Sequence, residues 1–155
     1  MVSPLYAANN IIIRAKNEEV QLSHLKLQKL LYMLYAHFLA KYDASLFSNR
    51  FEAWQYGPVL TEIYDTFKKY GSRNITELCK NNDSQIMIVA EEGCFKDSFD
   101  EMWRMYGGYS GSALVSKTHE KDSAWYKAVL RDKMLYGGFL DDEHIKSDGN
   151  RWFGC

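Results

Sequence analysis

The sequence predicts a mostly α-helical fold: a compact, single-domain helical bundle with at most a short extended segment or small hairpin. Three observations carry this expectation. Apolar residues recur at helical spacing along most of the chain, and residues that start or stop helices bracket those stretches. Only one short segment, near Phe51, alternates with the period of a strand. The chain has 155 residues, 46% hydrophobic and 15% aromatic. A chain of this length buries about two thirds of the surface it exposes when unfolded, so it can build a core without metals or crosslinks.

The first helix begins at Ser3-Pro4, a capping hydroxyl followed by a proline whose missing N–H costs nothing at that position. Leu5, Ala8, Ile12 and Ala15 then form one stripe. Ser23 caps the clearest helix in the chain, with Leu27, Leu30, Leu31, Leu34, Tyr35, Phe38 and Tyr42 at i, i+3, i+4 spacing. That helix is predicted at the centre of the core, with Lys26, Lys29 and His37 toward another side.

The helical period is lost over residues 43–56. There Phe51, Ala53 and Gln55 alternate with Glu52, Trp54 and Tyr56, which predicts an extended segment. Gly57-Pro58 punctuates the chain, with Pro58 read as a second helix starter. A helix through Leu60, Ile63, Tyr64 and Phe67 follows and stops at Gly71. A short helical piece is predicted around Ile75–Lys80.

Residues 84–90, SQIMIVA, fit a strand or a buried helical turn equally. Phe95, Phe99, Met102, Trp103 and Tyr106 mark an amphipathic helix ended by Gly107-Gly108. Two short helices are predicted over Ser110–Thr118 and Ser123–Lys133, with Ser110 and Asp122 as caps. Gly137-Gly138 breaks the chain again, and Asp141–Lys146 begins a last turn or two.

Charge is nearly balanced, with 19 basic and 20 acidic side chains. Residues 1–78 carry nine basic and seven acidic groups, and residues 79–155 carry ten and thirteen. Neither half has the positive field that nucleic-acid binding draws on, so nucleic acid is disfavoured as a partner. Cys79, Cys94 and Cys155 form no CxxC unit and leave an odd thiol, which suits a reducing compartment. The opening residues MVSPLYAANNIII lack the basic start and long apolar core of a secretion signal. No apolar run approaches the roughly eighteen residues of a membrane helix. The expectation is a cytoplasmic chain with no membrane partner.

Three segments resemble one family in order and spacing. LSHLKLQKLLYMLYAHFLA (Leu22 to Ala40) resembles the "lKLQKLLY" helix of the Panacea domain, also described as the SocA-like antitoxin domain or the phage-associated GepA-like proteins. LFSNRFEAWQYGPVLTEIYDTFKKYG (Leu46 to Gly71) is similar to that family's "EAW–x–x–GPV" segment and the helix after it. YGGYSGSALVSKTHEKDSAW (Tyr106 to Trp125) resembles its "Leu-Ser-x-x-Thr-His" block followed by Pro-Trp. The resemblance spans about residues 5–130; residues 131–155 diverge. Ala124 stands where the family has proline, which leaves the start of that helix less rigid.

The resemblance implies an antitoxin that neutralises a cognate protein toxin by direct binding. Small alarmone synthetases are among the toxins the family meets, and one branch delivers its toxin to a protease. A protease adaptor or a phage-encoded modulator of a host protein is the alternative reading. A small enzyme using His119 is a third, and the expectation is that the chain is not an enzyme.

Each candidate binding residue has a plainer reading beside it. Lys26, Lys29 and Tyr32, off the leucine stripe, form either a partner-facing polar surface or a solvated lysine face. Trp54, Tyr56, Gly57 and Pro58 form either a ridge presented to the partner or a core tryptophan with a turn after it. Tyr109 and Trp125 are further aromatic candidates. Thr118-His119 with Asp122 suggests a base and its orienting carboxylate, yet no nucleophile motif such as GxSxG accompanies it. The competing reading is a buried structural histidine with Thr118 capping the next turn. His24, His37 and His144 lack the HExxH spacing of a zinc site, and no phosphate-loop motif follows the glycine pairs. No metal or cofactor is expected.

Overall fold

The computed structural model describes residues 1–80 and 93–155; the ambiguous segment 84–90 lies outside them. Helix α1 (Pro4–Asn17) starts on Ser3, whose hydroxyl accepts the Leu5 N–H. Helix α2 (His24–Tyr42) starts on Ser23, which accepts from Lys26 N–H. It ends on Asp43 in the left-handed region. A hairpin follows, β1 (Glu52–Trp54) antiparallel to β2 (Gly57–Val59), with Ala53 opposite Pro58. Then come α3 (Thr61–Phe67) with a 3₁₀ turn to Tyr70, α4 (Cys94–Tyr106), α5 (Gly111–Thr118), α6 (Ala124–Arg131) and α7 (Asp142–Phe153).

Helix α2 is the hub. It packs against α1, α3, α4, α5, α7 and β2, most extensively against α7. Every residue from His24 to His37 except Leu25 is buried, so this helix has scarcely any solvated face. The buried apolar side chains form one cluster around it, including Ile11, Leu30, Leu34, Phe51, Phe67, Met102, Leu114, Trp125, Ile145 and Trp152.

Four expectations are corrected by the coordinates. Pro58 does not start a helix. It is the middle of β2, where its missing N–H costs no ladder bond because Ala53 opposite it bonds through its own N–H and carbonyl to Gly138 and Gly137. The stretch Ile75–Lys80 is not helical. Its backbone is taken up by other elements instead: Ile75 N–H donates to Leu22 O, and Asn9 exchanges two hydrogen bonds with Cys79. Asp122 is not the cap of α6. Ser123 is, accepting from Tyr126 N–H, while Asp122 sits at φ 70° in the preceding turn.

The last correction is the largest. Where the sequence predicts one or two turns from Asp141, α7 runs for 12 residues to Phe153. Residues 147–150, Ser-Asp-Gly-Asn, are weak helix formers, and an interior glycine costs a helix about 1 kcal/mol relative to alanine. Tertiary contact overrides that preference. Gly149 lies directly against the Ala36 carbonyl of α2, where a Cβ would overlap it. Ile145 and Trp152 are buried beside it, and the Tyr106 hydroxyl donates to Trp152 O. The connector between α6 and α7 also pairs with β1. Ala53 N–H donates to Gly138 O, Gly137 N–H to Ala53 O and Leu140 N–H to Phe51 O, which covers the free edge of the hairpin.

Candidate site: a groove over the α2 polar motif

Within α2 the residues Lys26, Gln28 and Lys29 face inward, each holding a different loop. The Lys26 ammonium donates to Gly107 O at 2.7 Å, closing the end of α4. The Gln28 amide clasps the backbone of Leu60: its nitrogen donates to Leu60 O and its oxygen accepts from Leu60 N–H. Lys29 donates to Pro58 O at 2.9 Å. One turn of helix thereby orders α4, α3 and β2 around itself. The solvated lysine face is corrected accordingly: Lys29 is 0% and Lys26 5% exposed. Amphipathic spacing misleads here because the helix is enclosed on all sides, and its polar groups are buried with backbone carbonyls as partners.

Tyr32 also belongs to the core. Its hydroxyl donates to Asp148 at 2.5 Å. Asp148, fully buried, accepts in addition from Ala124 N–H and the Arg151 guanidinium. Burial pushes the Asp148 carboxyl above its ordinary range, against the opposing pull of these hydrogen bonds. Burial, reinforced by the Asp148 charge, raises the Tyr32 phenol well above its own.

Trp54 does not fill the core. Ala53 takes the inward phase of β1, and Trp54, half-buried, points to the other face, its ring 4.8 Å from Tyr64. Tyr56 at the hairpin tip is 60% exposed. Between them opens a pocket of about 360 Å³, lined by His24, Leu25, Trp54, Tyr56, Val59 and Tyr64 with Gln28 and Lys29 at its base. The hairpin can close over Lys29 because Gly57 has no side chain. At φ 109°, a Cβ there would lie 2.6 Å from Lys29 Cε and 2.8 Å from Thr118 Oγ1.

The Thr118-His119 block lies outside the pocket lining, packed against the hairpin at Gly57. Thr118 is buried, and its hydroxyl donates back to Val115 O, so it does not cap the next helix. Its carbonyl accepts from Ser123, which does. His119 is half-buried and stacks on Trp125 with ring centroids 3.8 Å apart. No hydrogen bond joins it to Asp122, and its buried Nε2 has no partner among the described residues. Trp125 in turn donates to Trp54 O at 2.7 Å, tying α6 to the hairpin.

Burial works against positive charge around Lys29. Burial lowers the Lys29 ammonium to about 7. His24 and His119 are both lowered, first by burial and then by the Lys29 charge. Because Gln28 is oriented by Leu60, its NH₂ must donate to His24 Nε2 at 3.2 Å. The imidazole therefore accepts at that nitrogen and stays neutral.

Eight of the ten candidate residues thus converge. Lys29, Trp54, Tyr56, Gly57, Pro58, Thr118, His119 and Trp125 share one region, through contacts with Lys29, Trp54 or one another. Lys26 and Tyr109 lie apart, flanking a second depression with Gln21, Asn74 and Ser110. His24, Leu25, Gln28 and Tyr64 escaped sequence reasoning as site residues. Gln28 sits between the two motif lysines, but no sequence signal marks Tyr64 as facing Trp54.

The chain is a mostly helical domain with its polar motif turned inward to hold an aromatic-rimmed surface. The model of the family described as Antitoxin SocA-like, Panacea domain, matches residues 27–126, and the chain belongs to that family. A relative, Antitoxin SocA of Caulobacter vibrioides (strain NA1000 / CB15N), is 30% identical over 123 residues, 76% of this chain. The matched region spans 65% of that protein's length. No solved structure matches the chain. Among the described residues, no helix is long and apolar enough to cross a membrane.

Proposed function

We propose that this chain is the antitoxin of a toxin–antitoxin pair, working in the cytoplasm, and that it neutralises a protein toxin by holding it against the Trp54–Tyr56–Tyr64 groove. The observation that carries this reading is the placement of the aromatic rim. The motif residues that match the family are spent inside, on fixing the hairpin, and what they present outward is Tyr56 above an apolar pocket. Large, restrained aromatic side chains beside a pocket are the usual anchors of protein interfaces. Family membership and the antitoxin relative support the same role. On this reading His119 packs against Trp125 and carries no reaction.

Co-expression with the gene adjacent to this one in its operon, a small alarmone synthetase being the first toxin class to try, tests the role. Wild-type chain restores growth, and Tyr56→Ala, whose side chain contributes little to the core, weakens binding by about 2 kcal/mol or roughly 30-fold. A neighbour that is harmless alone, or whose toxicity persists beside the wild-type chain, overturns the role. Full rescue by Tyr56→Ala overturns the groove. Partner levels in the same cells separate occlusion, which leaves an intact toxin, from delivery to a protease, which removes it.

A further inference from the structure

Ten large apolar side chains are exposed among the described residues, and five of them fall within residues 130–139, the end of α6 and the connector to α7. They are Leu130, Met134, Leu135, Tyr136 and Phe139, at 46–70% exposure. Single exposures of this kind are ordinary, but a cluster marks a surface that meets something. The stretch is held in place. Lys133 N–H donates to Leu130 O, Met134 N–H to Val129 O and Leu135 N–H to Asp132 O, and residues 137–140 are bonded to the hairpin. The Tyr136 ring stacks on Trp125 at 6.5 Å, and the Arg50 guanidinium lies 4.2 Å from the Phe139 ring centre. Apolar side chains presented from a fixed backbone lose little further freedom when they are covered.

The size of this patch sets what it can hold. At on the order of 200 Å² for a large side chain, these five residues expose about 500 Å². A stable interface buries about 800 Å² on each side, a little over half of it apolar, or roughly 450 Å². The connector reaches that on its own. Leu25, Tyr56 and Tyr64 around the groove, at 37%, 60% and 36% exposure, offer about half as much by the same measure. The connector is therefore a surface in its own right and not the margin of the groove.

Its charge sets which partner fits. A two-fold contact lays one patch on its own copy, so the patch has to be apolar or self-neutralising. Arg131 grips Asp132 through two hydrogen bonds and donates a third to Phe139 O, while the Arg50 charge is turned onto the Phe139 ring. Lys133 is the remaining charge in the stretch, on a side chain long enough to keep its ammonium in water while its stem is covered. The Arg131–Asp132 fork also lies over Gly138, where a Cβ would overlap the Asp132 carboxylate. That fork guards the strand edge, so contact comes through side chains and not through an added strand.

We propose that residues 130–139 form a two-fold self-association surface, on which a second copy of this chain packs its own Leu130, Met134, Leu135, Tyr136 and Phe139. The contact is isologous and closes at two chains. Tyr56 and the groove are not part of it, so the inference stands apart from the antitoxin role.

Sedimentation velocity of the intact chain from about 1 to 100 µM, the weaker end of what interfaces of this size reach, tests this. The expected result is a species of twice the chain mass that gives way to the monomer on dilution. Leu135→Glu, which brings one carboxylate from each copy into the contact, is expected to weaken association by about tenfold or more, while Tyr56→Ala leaves it unchanged. Both positions are exposed, and a retained cooperative thermal transition checks the fold; Met134→Ser takes the place of Leu135→Glu if that variant loses it. A monomer across the range, a dimer indifferent to the connector variant, a dimer that Tyr56→Ala dissociates, or association that grows beyond two chains overturns the proposal. So does Leu135→Glu leaving the mass unchanged while abolishing neutralisation of the toxin, which would make the connector part of the toxin surface.

Discussion

Between about pH 7 and the ordinary lysine range, Lys29 is neutral in the folded chain and protonated in the unfolded one. In that window the unfolded state holds the extra proton, so this residue's contribution to folding stability improves as pH rises. Below about 7 both states are charged, and the cost of burying the ammonium is constant. Lys29→Met removes this dependence while keeping the side-chain volume. Denaturant unfolding at pH 7 and 9 is expected to show the wild type gaining on the variant by up to about 1.4 kcal/mol per pH unit. Parallel pH profiles for the two proteins would mean that the ammonium is hydrated in the folded state.

The order of the α5–α6 corner depends on Ser123, which does two jobs with one hydroxyl. It accepts the Tyr126 N–H at the start of α6 and donates to Thr118 O at the end of α5, in a site with no solvent exposure. Ser123→Ala removes the cap and leaves a buried carbonyl without a partner. The expected cost is about 2 kcal/mol, read as a lowered thermal midpoint. Because Trp125, two residues on, anchors the hairpin through Trp54 O, the same variant is expected, under the proposed function, to weaken toxin neutralisation although Ser123 does not line the pocket. An unchanged midpoint would show that α6 holds its place through Trp125 and Ala128 packing alone. Ala124, in place of the family's proline, is compatible with this arrangement: its N–H is used, donating to Asp148, a bond proline could not make.

The chain is assembled around α2, and α7 closes the assembly. Residues beyond Arg131 lie outside the matched family segment, yet they supply the largest contact that α2 makes. They also bring Asp148, which joins Tyr32 of α2, the start of α6 and Arg151 at one buried carboxylate. Ending the chain after Leu140 uncovers Ala36, Tyr106 and the Tyr32 hydroxyl. The truncated protein is expected to lose its cooperative thermal transition and its near-ultraviolet circular dichroism. A sharp transition within a few degrees of the full chain would show that α7 is an accessory to the core.

What could be read from the residues alone were the features set by local chemistry. Helix starts at Ser3, Ser23 and Ser110, the stop at Gly71, the strand phase of Phe51 and Ala53, and the leucine stripe of α2 follow from hydroxyl caps, backbone sterics and side-chain periodicity. The family motifs were legible for the same reason: KLQKLLY and AWQYGPV are contiguous. The fate of their polar residues was decided by the tertiary structure. Whether Lys29 meets water or Pro58 O depends on a hairpin 29 residues away in sequence, and whether Ser147–Asn150 turns or continues a helix depends on Ala36 lying against Gly149. A side chain's periodicity states which way it points. Only the packed chain states what it meets there, because burial and hydrogen-bond partners come from segments that are distant along the sequence.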